Sequence, residues 1–101
     1  MISKHSWMMI MHYVGEVCRF PENYKEESQL YDGRDDYGNY YYVTAYSSDV
    51  GKIALYLYIE HNKHTYIRTA SWTFEEFLKL KYIDFCNKLR ELREQTMEGI
   101  L

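Results

Sequence analysis

Two histidines are the nearest that this chain comes to a metal-binding pair. His61 and His64 lie three residues apart in a stretch whose composition is typical of a turn between strands. Imidazole nitrogen is a common ligand for transition metals, but a stable site needs at least a third ligand, and none is close in the sequence. We therefore predict a solvated turn here, and we expect neither a metal nor any other cofactor.

The acidic residues Asp32, Asp35 and Asp36, together with Asn39, are a second candidate for cation binding. Carboxylate and amide oxygens bind calcium, but an EF-hand loop alternates its ligands and closes with a glutamate, and this segment has neither feature. Residues 22–39 hold six acidic and two basic residues. We interpret this acidic loop as a contact surface and not as a calcium site.

No local motif for nucleophilic catalysis is present. Cys18 and Cys86 fit no metal or redox spacing, and the sequence has neither a glycine-rich phosphate loop nor a serine elbow. We predict that the protein is not an enzyme and that both cysteines are free thiols. Free thiols are typical of a reducing compartment, and no stretch of the sequence approaches the roughly 20 apolar residues of a spanning helix. We therefore expect a cytoplasmic protein without a membrane partner.

Tyrosine dominates the composition: 12 of the 101 residues are tyrosine, and ten of them lie between Tyr24 and Tyr66. A tyrosine ring presents a large apolar surface with a polar tip at low entropic cost, so tyrosines recur in recognition surfaces. This pattern predicts a surface that binds another protein. The candidate contact residues are Tyr31, Asp32, Asp35, Asp36, Tyr37, Tyr40, Tyr56, Tyr58 and Arg68.

A strand pattern runs through the middle of the chain. Residues 40–46 are aromatic and β-branched, a turn is predicted at 47–51, and residues 53–60 alternate between aliphatic side chains and mainly tyrosines. An alternation with period two predicts a strand with one aliphatic face and one tyrosine face. Residues 65–72 are the predicted return strand.

The loop between the last two predicted strands sets their register. A three-residue loop at 62–64 pairs Ile59 with Ile67 and keeps Arg68 on the tyrosine face. A two-residue loop sets Leu57 against Arg68, which would bury a charge. We therefore expect the three-residue loop, because a slip of one residue exchanges the two faces.

The C-terminal segment predicts one long helix from Phe74 to Glu98. Thr73 and Glu76 form a capping box at its start. Such a helix would be about 37 Å long and would extend beyond the sheet. Leu89 and Leu92 would then form an exposed apolar seam, and we predict that two copies of the chain pair along it as a homodimer.

The front of the chain allows two interpretations. Trp7, Ile10 and Val14 follow a helical period, which favours a helix that ends before Pro21, although an all-apolar strand is the alternative. A second short helix is predicted from Glu22 to Tyr31. Together the elements predict a single domain over residues 1–101 of the α+β class. It has an antiparallel sheet of three or more strands packed against a long C-terminal helix.

The function predicted from the sequence is non-catalytic protein binding. Our specific hypothesis is a phage-encoded inhibitor of a bacterial defence nuclease, similar to the anti-CRISPR proteins. Such an inhibitor would evade host defence by placing its acidic, tyrosine-rich surface in a basic groove of a nucleic-acid-binding complex. The alternative is a single-stranded nucleic-acid binder that stacks bases on the tyrosine face. The net charge of -3 argues against direct nucleic-acid binding, which usually needs a basic surface.

Overall fold

A computed structural model describes residues 1–24, 27–46 and 51–100 of the chain. They form an α+β fold in which a four-stranded antiparallel sheet is combined with helices at both ends, as predicted. Every strand pairs with its neighbour in the sequence, in the order β1-β2-β3-β4. The elements are α1 (Lys4–Arg19), β1 (Glu27–Arg34), β2 (Tyr40–Tyr46), β3 (Lys52–His61), β4 (His64–Thr73), α2 (Phe74–Leu78) and α3 (Tyr82–Ile100). Residues 47–50 of the predicted turn lie outside the described residues.

The N-terminal segment is the helix that its apolar period predicts, and the strand alternative is wrong. Ser3 caps α1, because its hydroxyl accepts the backbone N–H of Ser6 at 3.1 Å. Ile10, Val14 and Val17 lie on one face of the helix and are fully buried. Within the described part of the chain, no helix combines the length and the apolar character needed to cross a bilayer.

The core lies between the helices and the aliphatic face of the sheet. On β3 this face carries isoleucines and leucines that are at most 2% exposed. Tyr41 joins them from β2, and its ring meets Phe85 of α3 edge to face with the centroids 6.3 Å apart. Trp7 of α1 packs against Phe85 and Phe77. The helices therefore cover one face of the sheet and leave the other without a helical layer.

The segment predicted as a helix from Glu22 to Tyr31 is a strand from Glu27 onward, and its residues 25–26 lie outside the described residues. Pro21 starts only a 3-10 turn, Pro21–Asn23, and β1 follows. Tyr31 pairs with Val43 in the ladder between β1 and β2. Strand pairing therefore overrides the local helical start at the proline, because it satisfies the backbone groups along the outer edge of β2.

The C-terminal segment is two helices and not the single helix predicted from Phe74 to Glu98. The predicted capping box is present: the Thr73 hydroxyl accepts the N–H of Glu76 at 3.1 Å, and the Glu76 carboxylate accepts the N–H of Thr73 at 2.9 Å. A break at residues 79–81 follows α2. The Asp84 carboxylate accepts the N–H of Lys81 at 3.2 Å, which satisfies a backbone donor at the start of α3 as the third helical residue of a capping box does.

After this break, α3 packs against β3 and β4, and its buried residues run from Phe85 to Thr96. Leu89 and Leu92 are 4% and 7% exposed and belong to the core. The prediction that they form an exposed seam is therefore wrong, and a dimer cannot use them without opening the protein. The oligomeric state itself stays a prediction.

The loop between β3 and β4 has two residues, so the predicted three-residue loop is wrong. Asn62 and Lys63 have φ angles of 49° and 66°, the left-handed pair that a type I′ hairpin turn requires. His61 and His64 flank the turn and pair with each other. Asparagine tolerates this conformation better than most residues, which allows the tighter turn.

The tighter register does pair Leu57 with Arg68, yet the charge is not buried. β4 is an edge strand, and Arg68 is only half-buried there. Its guanidinium donates to the carbonyl oxygen of Ile67 at 3.1 Å and lies 5.9 Å from the centre of the Tyr66 ring. An edge position therefore removes the cost on which the sequence argument relied.

Candidate interaction surface

The sheet face opposite the helices carries five tyrosines, termed here the tyrosine face. Residues that pair across antiparallel strands share a face, and Tyr42 pairs with Tyr56 while Tyr40 pairs with Tyr58. Tyr46 lies on the same face because it is four residues after Tyr42 on β2. All five rings are half-buried. The tyrosine face therefore consists of Tyr40, Tyr42, Tyr46, Tyr56 and Tyr58.

Four of these rings pack into one continuous layer. The ring of Tyr42 stacks on that of Tyr56 with centroids 4.8 Å apart and planes inclined by 12°. It also stacks on Tyr58 at 5.7 Å, and Tyr58 in turn lies 5.9 Å from Tyr40. Thr44, which shares this face, is only 1% exposed. The rings therefore shield the sheet themselves and present an ordered aromatic surface.

Hydrogen bonds join the tyrosine hydroxyls in pairs. The hydroxyl oxygens of Tyr46 and Tyr56 are 2.6 Å apart, and those of Tyr42 and Tyr58 are 3.3 Å apart. The hydrogen bond with Tyr56, and then burial, raises the pKa of Tyr46 to about 12. The hydrogen bond with Tyr58, and then burial, also raises the pKa of Tyr42. Both hydroxyls therefore stay protonated further into the alkaline range than that of an ordinary tyrosine.

Acidic residues on β1 border the tyrosine face. The Tyr46 hydroxyl donates to the Glu27 carboxylate at 3.2 Å, and the Tyr40 hydroxyl donates to the Asp32 carboxylate at 3.3 Å. Burial, followed by the charge of Asp32, raises the pKa of Tyr40. The Arg34 guanidinium lies 5.5 Å from the Tyr40 ring centre. These contacts fix the outer rings against β1 and give that side of the surface a mixed, mainly acidic border.

On the β4 side, the position expected for Arg68 is occupied by Ile67. Ile67 pairs with Tyr58 and is 50% exposed, and Thr69 pairs with Tyr56. Arg68 lies on the opposite face because the two-residue loop shifts the register by one. The exposed aliphatic side chain of Ile67 thus extends the tyrosine face, whereas Arg68 is separated from it by the thickness of the sheet.

The acidic loop between β1 and β2 is a compact turn held by Asp35. Its carboxylate accepts the backbone N–H groups of Tyr37 at 2.9 Å and Asn39 at 2.8 Å. Asp36 forms an ion pair with the amino group of Met1. The Asp35 carboxylate therefore organises the turn.

The two remaining tyrosine candidates are directed away from the tyrosine face. Tyr37 is 56% exposed in the turn, and the Arg93 guanidinium of α3 lies 3.6 Å from its ring centre. Tyr31 lies on the helix-covered face, where its hydroxyl donates to the Ser6 side chain at 2.8 Å. Only Asp32, Tyr40, Tyr56 and Tyr58 of the nine sequence candidates therefore lie together on one surface.

Sequence reasoning missed two members of the surface, Tyr42 and Tyr46. Their signal was the alternation in β2, where Tyr40, Tyr42, Thr44 and Tyr46 recur at every second position. That alternation places them on one face as soon as the segment is assigned to a strand. The neighbouring Tyr41 falls on the other face and is 1% exposed in the core.

Among residues 1–24, 27–46 and 51–100, no three histidine, cysteine or acidic side chains come together to hold a metal. Cys18 and Cys86 are free thiols, and burial raises the pKa of Cys18, which lowers its reactivity. A cleft of about 190 Å³ between the acidic turn and α3 is lined by Asp36, Cys86 and Arg90 among others.

Comparison with known proteins gives no relative for this fold or surface. No family model, no curated protein and no solved structure matches the chain. What the surface can bind must therefore be argued from its own geometry.

Proposed function

We propose that this protein is a non-catalytic module that binds another protein through its tyrosine face. The observation that carries the proposal is the tyrosine face, in which four packed rings and Tyr46 lie on the side of the sheet opposite the described helices. Rings held by mutual stacking and hydroxyl pairs are pre-ordered, so little side-chain entropy is lost when a partner covers them. Aromatic residues of this kind supply much of the binding energy in protein interfaces.

Two features favour a protein partner over a single-stranded nucleic acid. Bases stack on free aromatic faces, whereas the Tyr42 ring already stacks on Tyr56 and Tyr58. In addition, Glu27 and Asp32 border the surface and repel phosphates. Hydroxyl tips and ring edges, which this surface presents, suit the polar and apolar groups of a protein.

The charge of the border favours a basic partner. Glu27, Asp32 and Glu60 are exposed on the tyrosine face, against Arg34 and Lys52. The whole chain carries a net charge of -3, which steers it towards positively charged surfaces. A nucleic-acid-binding protein has such a surface. An inhibitor of a bacterial defence nuclease, of the anti-CRISPR kind, is the specific case that we propose, acting in the cytoplasm.

The test compares affinity capture from a bacterial lysate by three forms of the protein. Tyr58→Lys places a positive charge in the tyrosine face, and Tyr13→Lys places the same charge on α1, on the other side of the molecule. We expect a captured protein to be retained by the wild type and Tyr13→Lys and lost by Tyr58→Lys. That protein is then purified and its direct binding to the three forms is measured.

A second arm uses a labelled single-stranded oligonucleotide with the same three proteins. Salt-sensitive binding of the oligonucleotide that requires the tyrosine face would contradict the proposal and favour the nucleic-acid alternative. Equal capture by all three forms would also contradict it, because the partner would then bind another surface. Circular dichroism confirms that each variant is folded.

A further inference from the structure

The outer edge of β4 is not paired with any strand in the described part of the chain. β4 is the last strand of the sheet, and among the described strands its neighbour is β3. In a hairpin with a two-residue turn, the flanking residues, here His61 and His64, exchange both backbone hydrogen bonds, and every second pair does the same. The residues that alternate with these hydrogen-bonded pairs direct their backbone N–H and C=O groups away from β3. On β4 these are Thr65, Ile67, Thr69, Ser71 and Thr73.

Two side-chain contacts agree with this assignment. The backbone N–H of Thr73 donates to the Glu76 carboxylate, and the carbonyl oxygen of Ile67 accepts from Arg68. Both backbone groups are therefore free of the β3 ladder. Among the described residues, no partner satisfies the outward backbone groups of Thr65, Thr69 or Ser71. The edge thus offers a row of donors and acceptors that a further strand can use.

The other edge of the sheet is protected in ways that β4 is not. β1 has an irregular register between Gln29 and Tyr31, carries three charged side chains, and is packed by α1. A bulge and charges are common devices against strand addition. β4 is ten residues long, keeps its register with β3 throughout, and contains Arg68 as its only lysine, arginine or acidic residue.

We propose that the occupant of this edge is β4 of a second copy of the chain, paired antiparallel about a two-fold axis at Ile67. In this register Ile67 faces its own counterpart, Thr65 faces Thr69 of the second copy, and Tyr66 faces Arg68 of the second copy. The alternative register centred on Arg68 sets two like charges directly opposite each other and is disfavoured. A register centred on Ile67 instead gives two cation–π pairs.

The proposal uses contacts that already exist within one chain. Arg68 lies over the Tyr66 ring and donates to the Ile67 carbonyl. In the dimer the Ile67 N–H of the second copy donates to that carbonyl oxygen. The Arg68 guanidinium then packs against the Tyr66 ring of the second copy. The result is one eight-stranded sheet in which the two tyrosine faces are joined across the Ile67 pair. This inference goes beyond the proposed function and does not depend on it.

Sedimentation equilibrium over a concentration series tests the proposal with three variants. Ile67→Lys sets two lysines opposite each other at the axis, and Thr69→Pro removes an outward N–H without touching the β3 ladder. Ile83→Lys on α3 is the matched control, because Ile83 is 47% exposed against 50% for Ile67. We expect dimers for the wild type and Ile83→Lys, and monomers for the other two.

A cysteine variant tests the register. Residues that exchange both hydrogen bonds across an antiparallel pair have Cα atoms about 5.5 Å apart, a distance that a disulfide spans. Ile67→Cys should therefore form a disulfide-linked dimer on mild oxidation, whereas Ser71→Cys should not. A wild type that stays monomeric throughout the series would overturn the proposal, as would a dimer that persists in folded Ile67→Lys and Thr69→Pro.

Discussion

The rings of Phe77 and Phe85 meet edge to face, with centroids 6.2 Å apart and planes inclined by 77°. In one continuous helix these residues would be separated by about 12 Å along the axis, because each residue adds about 1.5 Å. The break at residues 79–81 brings them together, and both are fully buried. The contact between α2 and α3 thus closes the helical layer over the sheet whose other face carries the tyrosines.

Phe85→Ala should lower the free energy of unfolding by about 3–5 kcal/mol, because it leaves a cavity between Phe77, Tyr41 and Trp7. Ile83→Ala, two residues away and 47% exposed, is the control and should cost less than about 1 kcal/mol. Urea titrations of both variants measure the difference. Equal losses would show that the Phe85 ring is not central to the core.

Thr73→Ala should cost about 1 kcal/mol, because the hydroxyl that accepts the Glu76 N–H is lost. The hydrogen bond from the backbone N–H of Thr73, and then the one with the Thr73 side chain, also hold the pKa of Glu76 below its usual value, and only the second is lost in Thr73→Ala. A carboxylate with a lowered folded pKa stabilises the fold at neutral pH, and that contribution is lost as the pH falls through the folded pKa. NMR titration should therefore show the Glu76 pKa rising in Thr73→Ala and changing little in Thr73→Ser, which keeps the cap.

Asp35→Ala should lower the free energy of unfolding by about 1–2 kcal/mol, since the N–H groups of Tyr37 and Asn39 lose their acceptor. Asp35→Asn keeps an oxygen in place and should retain most of the stability. Thermal melts of the two variants check this. If both melt at the wild-type temperature, the turn does not depend on the Asp35 carboxylate.

Alkaline pH should destabilise the protein through the tyrosine face. The pKa of Tyr46 is about 12 in the folded protein, against 10.0 for an ordinary tyrosine. A group whose folded pKa is raised stabilises the fold below its unfolded pKa, so this stability is lost as the pH rises from 10 towards 12. Urea midpoints measured across this range should fall, and Tyr46→Phe should fall less steeply. An identical slope for the two proteins would contradict the assignment.

The elements that are determined by neighbouring residues in the sequence were predicted correctly. The period of α1, the capping box at Thr73 and the alternation in β3 each determine an element without help from distant residues. The α+β class follows from them. The fourth strand was missed because β1 depends on pairing with β2, and Pro21 gave a misleading helical start.

The candidate surface was only partly predictable because it depends on register. A three-residue loop was predicted because a two-residue loop would bury the charge of Arg68. That cost arises only if strands flank Arg68 on both sides. The edge position of β4, which removes the cost, was not visible in the sequence. The roles of Asp35 in the turn and of Tyr37 against Arg93 depend on distances across the fold. The composition shows that tyrosine is abundant, whereas the ladder determines which tyrosines share a face.

The tyrosine face is tested most directly by NMR of the protein labelled at its tyrosine rings, on addition of the purified partner from the capture experiment. We expect the ring signals of the tyrosine face to shift or broaden, because a bound protein covers them. The signals of Tyr13 on α1 and Tyr82 on α3, which lie on the helical side, should stay unchanged. Changes confined to Tyr13 and Tyr82, with the tyrosine face unaffected, would contradict the account.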